Sequence, residues 1–180
     1  MAKLDDMKKN LPLFGMLLKF SIKEQTDENI LFYFDKGNMD GIYKKYIKPG
    51  SPKEINIDSP LRNQLTAAVT AKDEPAFKAA QQKARGVIGS LSDQIITRFM
   101  GSPEYKFYAA REKAEKNATK AMKVLGISTK GKDLMLDGIA YQAIGKKADA
   151  AKQFTALAKL EKLNDTHDTI IKNLKSSGLL

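Results

Sequence analysis

Apolar residues recur at helical spacing along nearly the whole chain. They fall three and four positions apart near the start, and the same spacing returns in a longer run near the middle. Residues spaced in this way share one side of an α-helix, whereas a half-buried strand shows strict alternation. No alternating segment competes with the helical ones. The pattern therefore predicts an all-α protein, with core-facing residues that include Leu13, Phe14, Leu17, Leu18, Ile22, Phe77, Ala80, Ala84, Ile88 and Phe99.

Capping residues and helix breakers divide this pattern into separate helices. Asn, Asp, Ser and Thr are favoured just before a helix, proline in its first turn and glycine just after its end. The long helix after Asp73 is predicted to reach Gly101, with a restart at Ser92 or Asp93 as an alternative. A further helix runs toward Gly126, and three more fill the last 50 residues. The signals predict helix starts near Pro12, Thr26 or Asp27, Asn38, Ser59, Asp73 and Ser102.

The chain is basic, with 31 Lys and Arg against 21 Asp and Glu and a net charge of +10. The residues after position 100 hold 15 of the basic and 9 of the acidic side chains, so the shorter C-terminal part is the more basic. Positive charge favours anionic partners. Only four of the basic residues are Arg, the side chain best suited to reading base edges. We therefore predict no sequence-specific nucleic-acid binding and keep an anionic membrane surface as a candidate partner.

Signals for secretion and for membrane insertion are absent from the sequence. The best apolar run near the N-terminus is interrupted by Pro12 and Lys19, and no run approaches the roughly 20 apolar residues that a membrane-spanning helix needs. The chain has no cysteine, which suits a reducing compartment. These observations predict a cytoplasmic protein that contacts the inner leaflet peripherally at most.

Residues that carry out covalent chemistry are scarce. The chain has one histidine, His167, in a polar terminal segment and no cysteine, so a nucleophile with its base or a metal site would need unusual parts. The basic loop at residues 126–132 lacks the spacing of a phosphate-binding loop. We predict that the protein is not an enzyme and has no catalytic residue, metal or cofactor.

Four short motifs occur in a characteristic order. Residues 28–33 read E-N-I-L-F-Y, residues 42–58 read I-Y-K-K-Y-I-K-P-G-S-P-K-E-I-N-I-D, residues 77–81 read F-K-A-A-Q, and residues 98–102 read R-F-M-G-S. The chain resembles regulator of G-protein signalling (RGS) domains, in which E-N-I-x-F-W, A-P-x-E-[IV]-N-[IL]-D, F-D-E-A-Q and R-F-L-x-S follow in the same order. The resemblance covers residues 4–107, and its segment between positions 30 and 42 is about a dozen residues shorter than in the family.

The resemblance implies an RGS-like helical bundle over residues 1–110 and a basic helical extension over residues 111–180. An RGS domain binds the activated α subunit of a heterotrimeric G protein, in its GTP-bound or transition state, and accelerates GTP hydrolysis by ordering the switch segments. One alternative is an RGS-homology module that docks proteins without accelerating hydrolysis. Another is a Lys-rich helical protein that binds anionic membrane surfaces.

The resemblance also implies three partner-binding corners. The motif places Glu28 and Asn29 at the first and Asn56 at the second, although both asparagines could instead brace their own loops. The third corner is altered. If Arg98 fixes the alignment, Gln94 and Ile95 replace the acidic and hydroxyl residues of the family. If Asp93 fixes it, Thr97 replaces the arginine. The predicted site residues are thus Glu28, Asn29, Asn56, Asp93, Gln94 and Arg98.

Overall fold

Side-chain caps set the starts of several helices. In the computed structural model, which describes residues 3–180, Oδ1 of Asn10 and Oδ1 of Asp58 accept hydrogen bonds from the amide three residues later, at 3.1 and 2.9 Å. Asn38 Oδ1 and Ser102 Oγ do the same at 2.8 and 3.2 Å. Each cap pairs an N–H that has no acceptor within its helix. The helix starts predicted near these residues are confirmed.

The chain separates into two compact units, one ending at Met100 and the other beginning at Gly101. The division predicted after residue 110 stays a prediction, and residues 1 and 2 of that first domain lie outside the described residues. Helix α6 is continuous, so the restart considered at Ser92 or Asp93 is wrong. The first unit contains α1 (Lys3–Lys9), α2 (Leu11–Lys23), α3 (Asp27–Phe34), α4 (Met39–Ile42), a π-helical turn (Tyr43–Ile47), α5 (Ser59–Thr70) and α6 (Glu74–Gly101).

The core of the first unit collects apolar side chains from α3, the π-helical turn, the loop after it, α5 and α6. The rings of Phe32 and Tyr46 meet edge to face at 5.5 Å. The prediction that Ile22 faces the core is wrong, since this residue is 60% exposed. Phe20, two positions earlier and so on the other side of the helix, packs on Phe99 and takes the inward place. The buried cluster includes Phe32, Ile42, Tyr46, Ile47, Ile55, Leu65, Phe77, Ala84 and Ile88.

Asp35 ties the end of α3 to the π-helical turn. Its Oδ2 accepts hydrogen bonds from Tyr46 Oη at 2.8 Å and Lys45 Nζ at 3.4 Å, and its Oδ1 accepts one from the Gly37 amide at 2.8 Å. Burial raises the pKa of Asp35, but these hydrogen bonds favour the ionised carboxylate, and the pKa lies below its ordinary value. These contacts fix the start of the short connection at residues 35–38.

The second unit contains two helices where the sequence predicted one. The helix predicted to run from Ser102 toward Gly126 ends at Glu115 and begins again at Ala118. The helix before this turn packs against the helix at Lys132–Ala143, and the helix after it packs against the one at His167–Ser176. The turn therefore lets the apolar residues on either side of it face two different helices. The helices are α7 (Pro103–Glu115), α8 (Ala118–Leu125), α9 (Lys132–Ala143), α10 (Lys147–Glu161) and α11 (His167–Ser176), with a 3₁₀ turn (Thr129–Gly131) before α9.

Close packing of α9 on α10 centres on a glycine. A Cβ placed on Gly138 would lie 2.5 Å from Cε1 of the fully buried Phe154 ring, so the side-chain-free position lets the two helices approach. Arg111 of α7 pairs with Asp133 and Asp137 of α9 at 2.6 and 2.8 Å. Every regular element within residues 3–180 is helical, which confirms the predicted all-α class. None of these helices combines the length and apolar character needed to cross a membrane.

Candidate functional site

The loop between the π-helical turn and α5 presents Asn56 to solvent. Ile55 and Ile57 are buried on either side of it, while Asn56 itself is exposed. Neighbouring side chains of an extended segment point in opposite directions, so burial of both isoleucines turns Asn56 outward. Within residues 3–180 the Asn56 side chain makes no hydrogen bond. Its amide therefore does not brace the loop, and both its donor and acceptor atoms are available to a partner.

Two main-chain hydrogen bonds hold this loop against the π-helical turn. The Ile55 amide donates to the Tyr46 carbonyl at 3.0 Å, and the Lys53 amide donates to the Lys45 carbonyl at 3.1 Å. They fix the backbone just before Asn56. The exposed amide is thus carried on an ordered segment, which lowers the entropy that a partner would have to remove on binding.

Arg62 of α5 joins the two ends of the loop. Its guanidinium donates to the Ile47 carbonyl and, at 2.9 Å, to the Ile55 carbonyl. It also pairs with Glu54 Oε1 at 3.0 Å, while Glu54 Oε2 accepts a hydrogen bond from the Gly50 amide at 2.7 Å. The planar guanidinium presents several donors in a fixed arrangement, which suits it to bridging separate acceptors. Arg62 was not among the predicted site residues.

An ion pair connects the Asn56 loop to the first turn of α3. Lys53 Nζ lies 2.9 Å from Oδ1 and 2.8 Å from Oδ2 of Asp27. Asp27 immediately precedes Glu28 and Asn29, and Lys53 lies three residues before Asn56. The first and second predicted corners are therefore parts of one surface. Neither member of this ion pair was predicted, because nothing in the sequence pairs residues 26 positions apart.

Glu28 and Asn29 are less accessible than Asn56. Asn29 is buried, its Nδ2 donates to Glu28 Oε1 at 3.0 Å, and its Oδ1 has no hydrogen-bond partner within residues 3–180. Burial raises the pKa of the Glu28 carboxyl. A buried acceptor without a donor and a carboxylate that burial disfavours are both sites at which an added donor would be stabilising. Within residues 3–180 the Asn29 side chain thus hydrogen-bonds only to Glu28 and does not cap its helix.

Helix α6 places the remaining predicted residues on two different sides. Arg98 is exposed and pairs with Glu24, at the end of α2, at 2.9 Å. Gln94 is exposed one turn earlier on the same side. Asp93 instead lines a groove with Tyr33 and other residues of α1, α3 and α6. The structure therefore brings Arg98 to the chain segment that leads into Glu28, and it does not bring Asp93 there.

The two alternative replacements in the third corner have different exposures. Ile95 is buried, so it is unavailable to a partner, and Thr97 is exposed with its hydroxyl donating to the Asp93 carbonyl at 2.8 Å. Of the residues considered for this corner, Gln94 and Arg98 are thus the exposed pair on one side of the helix. Glu24, which orients Arg98, was missed because its partner is remote in sequence.

The arrangement offers hydrogen bonding and charge rather than covalent chemistry. Within the described residues no group of His, Asp and Glu side chains is placed to hold a metal ion. His167 begins α11 in the other unit, where its Nε2 lies 3.2 Å from Asp168 Oδ1. The site can order a partner's mobile groups through amides and carboxylates.

Comparison with known proteins adds a family match. Residues 3–108 match the family model described as "Regulator of G protein signaling domain". The chain is 26% identical to "Developmental regulator flbA" of Emericella nidulans over 129 residues, covering 52% of the chain and 18% of the relative. It is 33% identical to "Regulator of G-protein signaling 16" of Rattus norvegicus over 73 residues, covering 41% of the chain and 35% of the relative. It is 31% identical to "Regulator of G-protein signaling 13" of Homo sapiens over 96 residues, covering 46% and 58%.

These relatives are only partly spanned by the chain. The matched regions cover 18%, 35% and 58% of their lengths, so activities of the whole relatives do not transfer by alignment alone. No solved structure matches the chain significantly. The family match does cover all three predicted corners, since residues 28 to 98 lie inside it.

Proposed function

The chain belongs to the regulator of G protein signaling domain family, and we propose that it binds the activated α subunit of a heterotrimeric G protein and accelerates its GTP hydrolysis. The observation that carries this proposal is the outward, unpaired amide of Asn56 on a loop fixed by Arg62 and by the Lys53–Asp27 ion pair. The motif resemblance assigns that position to contact with the partner's switch segments.

The mechanism requires no reacting group from this chain. GTP hydrolysis slows when the groups that position the attacking water are mobile, and a protein that binds their transition-state arrangement more tightly than the ground state lowers the barrier. The Asn56 side chain can donate to one switch atom and accept from another at the same time. Glu28 supplies a further acceptor on the same surface, oriented by the hydrogen bond from the buried Asn29, and Arg98 supplies a positive charge.

Rigidity of the surface matters as much as its chemistry. A mobile loop would spend part of the binding free energy on its own ordering, at about 1–2 kcal/mol for each residue fixed. Burial of Ile55 and Ile57 removes most of that cost before the partner arrives. More of the binding free energy is then available to order the switch segments of the partner.

A second candidate function is a docking module that binds a partner without accelerating hydrolysis. The altered third corner favours it. Gln94 is neutral where the family has an acidic residue, and Ile95 is buried where the family has a hydroxyl. Two of the polar groups that would contact a switch are thus replaced. The two functions differ in whether GTP hydrolysis by the bound partner is accelerated.

The direct test is single-turnover GTP hydrolysis by purified Gα subunits with the full chain, an Asn56→Ala variant and an Asn164→Ala control. Asn164 is an exposed loop asparagine in the other unit. We expect Asn56→Ala to lower the acceleration about tenfold or more, the equivalent of about 1–2 kcal/mol for a lost hydrogen bond in the transition state. Asn164→Ala should retain full acceleration.

Binding is measured in parallel, by pull-down on Gα loaded with a transition-state mimic. Binding with no acceleration by the unmodified chain would replace the first function by the docking module. Neither binding nor acceleration across the Gα classes would contradict Gα as the partner in either function. Equal losses in Asn56→Ala and Asn164→Ala would remove Asn56 from the site.

A further inference from the structure

The second unit has an open apolar groove bounded by α7, α9 and the residues after α11. Its volume is about 470 Å³, and its lining includes Ala114, Ile139, Leu179 and Leu180. The two leucines are partly buried against the core of the unit and partly exposed. Apolar area that the fold leaves open to water is retained at a cost of about 25 cal/mol per Å². A partner with an apolar part would remove that cost.

Two lysines line this groove, and a third lies beside the terminal segment that bounds it. Lys113 of α7 and Lys175 of α11 contribute to its lining. Lys120 of α8 donates from Nζ to the Ser177 carbonyl at 3.0 Å, which places its ammonium beside the same terminal segment. We refer to Lys113, Lys120 and Lys175 with Leu179 and Leu180 as the lysine–leucine surface.

No acidic side chain lies among the groove-lining residues. Among the described residues lining the groove there is no Asp or Glu, and Lys113, Lys120 and Lys175 form no ion pair within residues 3–180. Elsewhere in the unit, Lys132 pairs with Glu115 and Lys152 with Asp149. Positive charge without local compensation raises the potential over an apolar opening and attracts anions to it.

The combination of apolar floor and basic rim selects the kind of partner. At a bilayer surface, acyl chains lie a few ångströms below anionic headgroups, so leucines can insert while lysine stems extend their ammonium groups to the phosphates. Nucleic acid offers the charge but no aliphatic layer. The single arginine of the unit, Arg111, is already engaged by Asp133 and Asp137 and cannot read bases.

We propose that the lysine–leucine surface docks the second unit onto anionic lipid bilayers. This site lies in a different unit from the predicted Gα-binding corners and requires no G-protein partner. It includes three of the 15 basic residues after position 100. Success or failure of the GTPase experiment therefore leaves this proposal unaffected.

The test is sedimentation of the full chain with vesicles of phosphatidylserine and phosphatidylcholine, compared with pure phosphatidylcholine vesicles. The variant combines Lys113→Gln, Lys120→Gln and Lys175→Gln. The matched control combines Lys146→Gln, Lys147→Gln and Lys159→Gln, three exposed lysines of the same unit that lie outside the groove lining. Both variants remove three positive charges, so net charge is held equal.

We expect the first variant to lower the partition coefficient about 100-fold, the equivalent of about 1 kcal/mol for each lysine at the bilayer surface. The control should lose less than about fivefold, because its three lysines do not line the groove into which the leucines project and their charges act on the bilayer only through screening salt. A Leu179→Ser/Leu180→Ser variant should lose about tenfold through reduced insertion. Thermal unfolding followed by circular dichroism verifies that each variant is folded.

Three results would overturn the proposal. Equal losses in the two lysine variants would show that net charge alone drives binding. No binding of the unmodified chain to phosphatidylserine vesicles at low salt would exclude the bilayer as partner. Tighter binding to a DNA or RNA duplex than to the vesicles, with no effect of the leucine variant, would assign the surface to nucleic acid instead.

Discussion

Replacing Lys53 by methionine tests whether the Asn56 loop is held against the start of α3. The Asp27 side chain is 10% exposed, whereas that of Lys53 is 40% exposed. Removing the lysine leaves a nearly buried carboxylate without a counterion, which costs more than losing an exposed pair worth about 0.2–1 kcal/mol. It costs less than breaking a fully buried pair at about 3–5 kcal/mol, since water reaches the lysine side. We expect Lys53→Met to destabilise the loop by about 1–2 kcal/mol.

Replacing the other member of the ion pair should destabilise the loop less. In Asp27→Asn the freed ammonium can turn to water, so we expect about 0.5–1 kcal/mol. The double variant should cost about 1 kcal/mol less than the sum of the single variants, because both remove the same interaction. Lys48→Met provides the control, as Lys48 is an exposed lysine of the same loop with no ion pair within residues 3–180. Its effect should stay within about 0.5 kcal/mol.

Hydrogen exchange is the appropriate measurement because it reports on the loop rather than on the whole chain. The Lys53 and Ile55 amides donate to main-chain carbonyls of the π-helical turn, and their exchange rates follow local opening. A decrease of about 1.4 kcal/mol in the free energy of local opening raises the exchange rate about tenfold. Additive effects to within about 0.3 kcal/mol, or unchanged exchange in Lys53→Met, would refute the inference that the Lys53–Asp27 ion pair holds the Asn56 loop against α3.

Three further predictions follow from individual contacts. The pKa of Asp35 is lowered in the folded chain, so its contribution to stability is complete above the ordinary pKa of about 3.9 and is lost as pH falls through the lowered pKa. Unfolding experiments in acid should show that Asp35→Asn removes this part of the pH dependence of stability. Gly138→Ala should destabilise the second unit by about 1–2 kcal/mol through overlap with Phe154, whereas Gly15→Ala, which meets no atom within 4 Å, should stabilise the first by about 0.5–1 kcal/mol; thermal unfolding of both variants checks the difference in sign. Gln94→Asp should raise GTPase acceleration in the single-turnover assay if that side of α6 contacts the switches, and an unchanged rate would place the contact elsewhere.

The helical architecture was predictable from the sequence because its signals are local. Caps such as Asn38 act over three residues, and the apolar spacing along α6 is unbroken. Two features depended on packing instead. The turn at Lys116 and Asn117 contains neither glycine nor proline. Its one local signal is Asn117 just before α8, and the side chain of Asn117 makes no capping hydrogen bond. The π-helical turn inserts an extra residue between buried positions, which helical periodicity does not reveal.

The candidate site was predictable only where family motifs mark it. The motif singled out Asn56, and burial of Ile55 and Ile57 explains its exposure. The residues that hold the site, Arg62 and the Lys53–Asp27 pair, became visible only in three dimensions. Charge pairs between distant segments leave no periodic trace in a single sequence. Such residues determine whether predicted contact groups share one surface, yet they do not belong to the contact motif.

Continuity of α6 bears on which alignment describes the third corner. Five residues along an α-helix correspond to a rotation of about 140°, so Asp93 and Arg98 face different directions, whereas Gln94 and Arg98 are one turn apart on the same side. Arg98 points toward Glu24, beside the Glu28 corner, and Asp93 toward the groove with Tyr33. A single partner at the Glu28 and Asn56 corners would therefore meet Arg98 and Gln94 together. This geometry favours the alignment fixed by Arg98, in which this chain keeps the family's positive charge and has lost its acidic one.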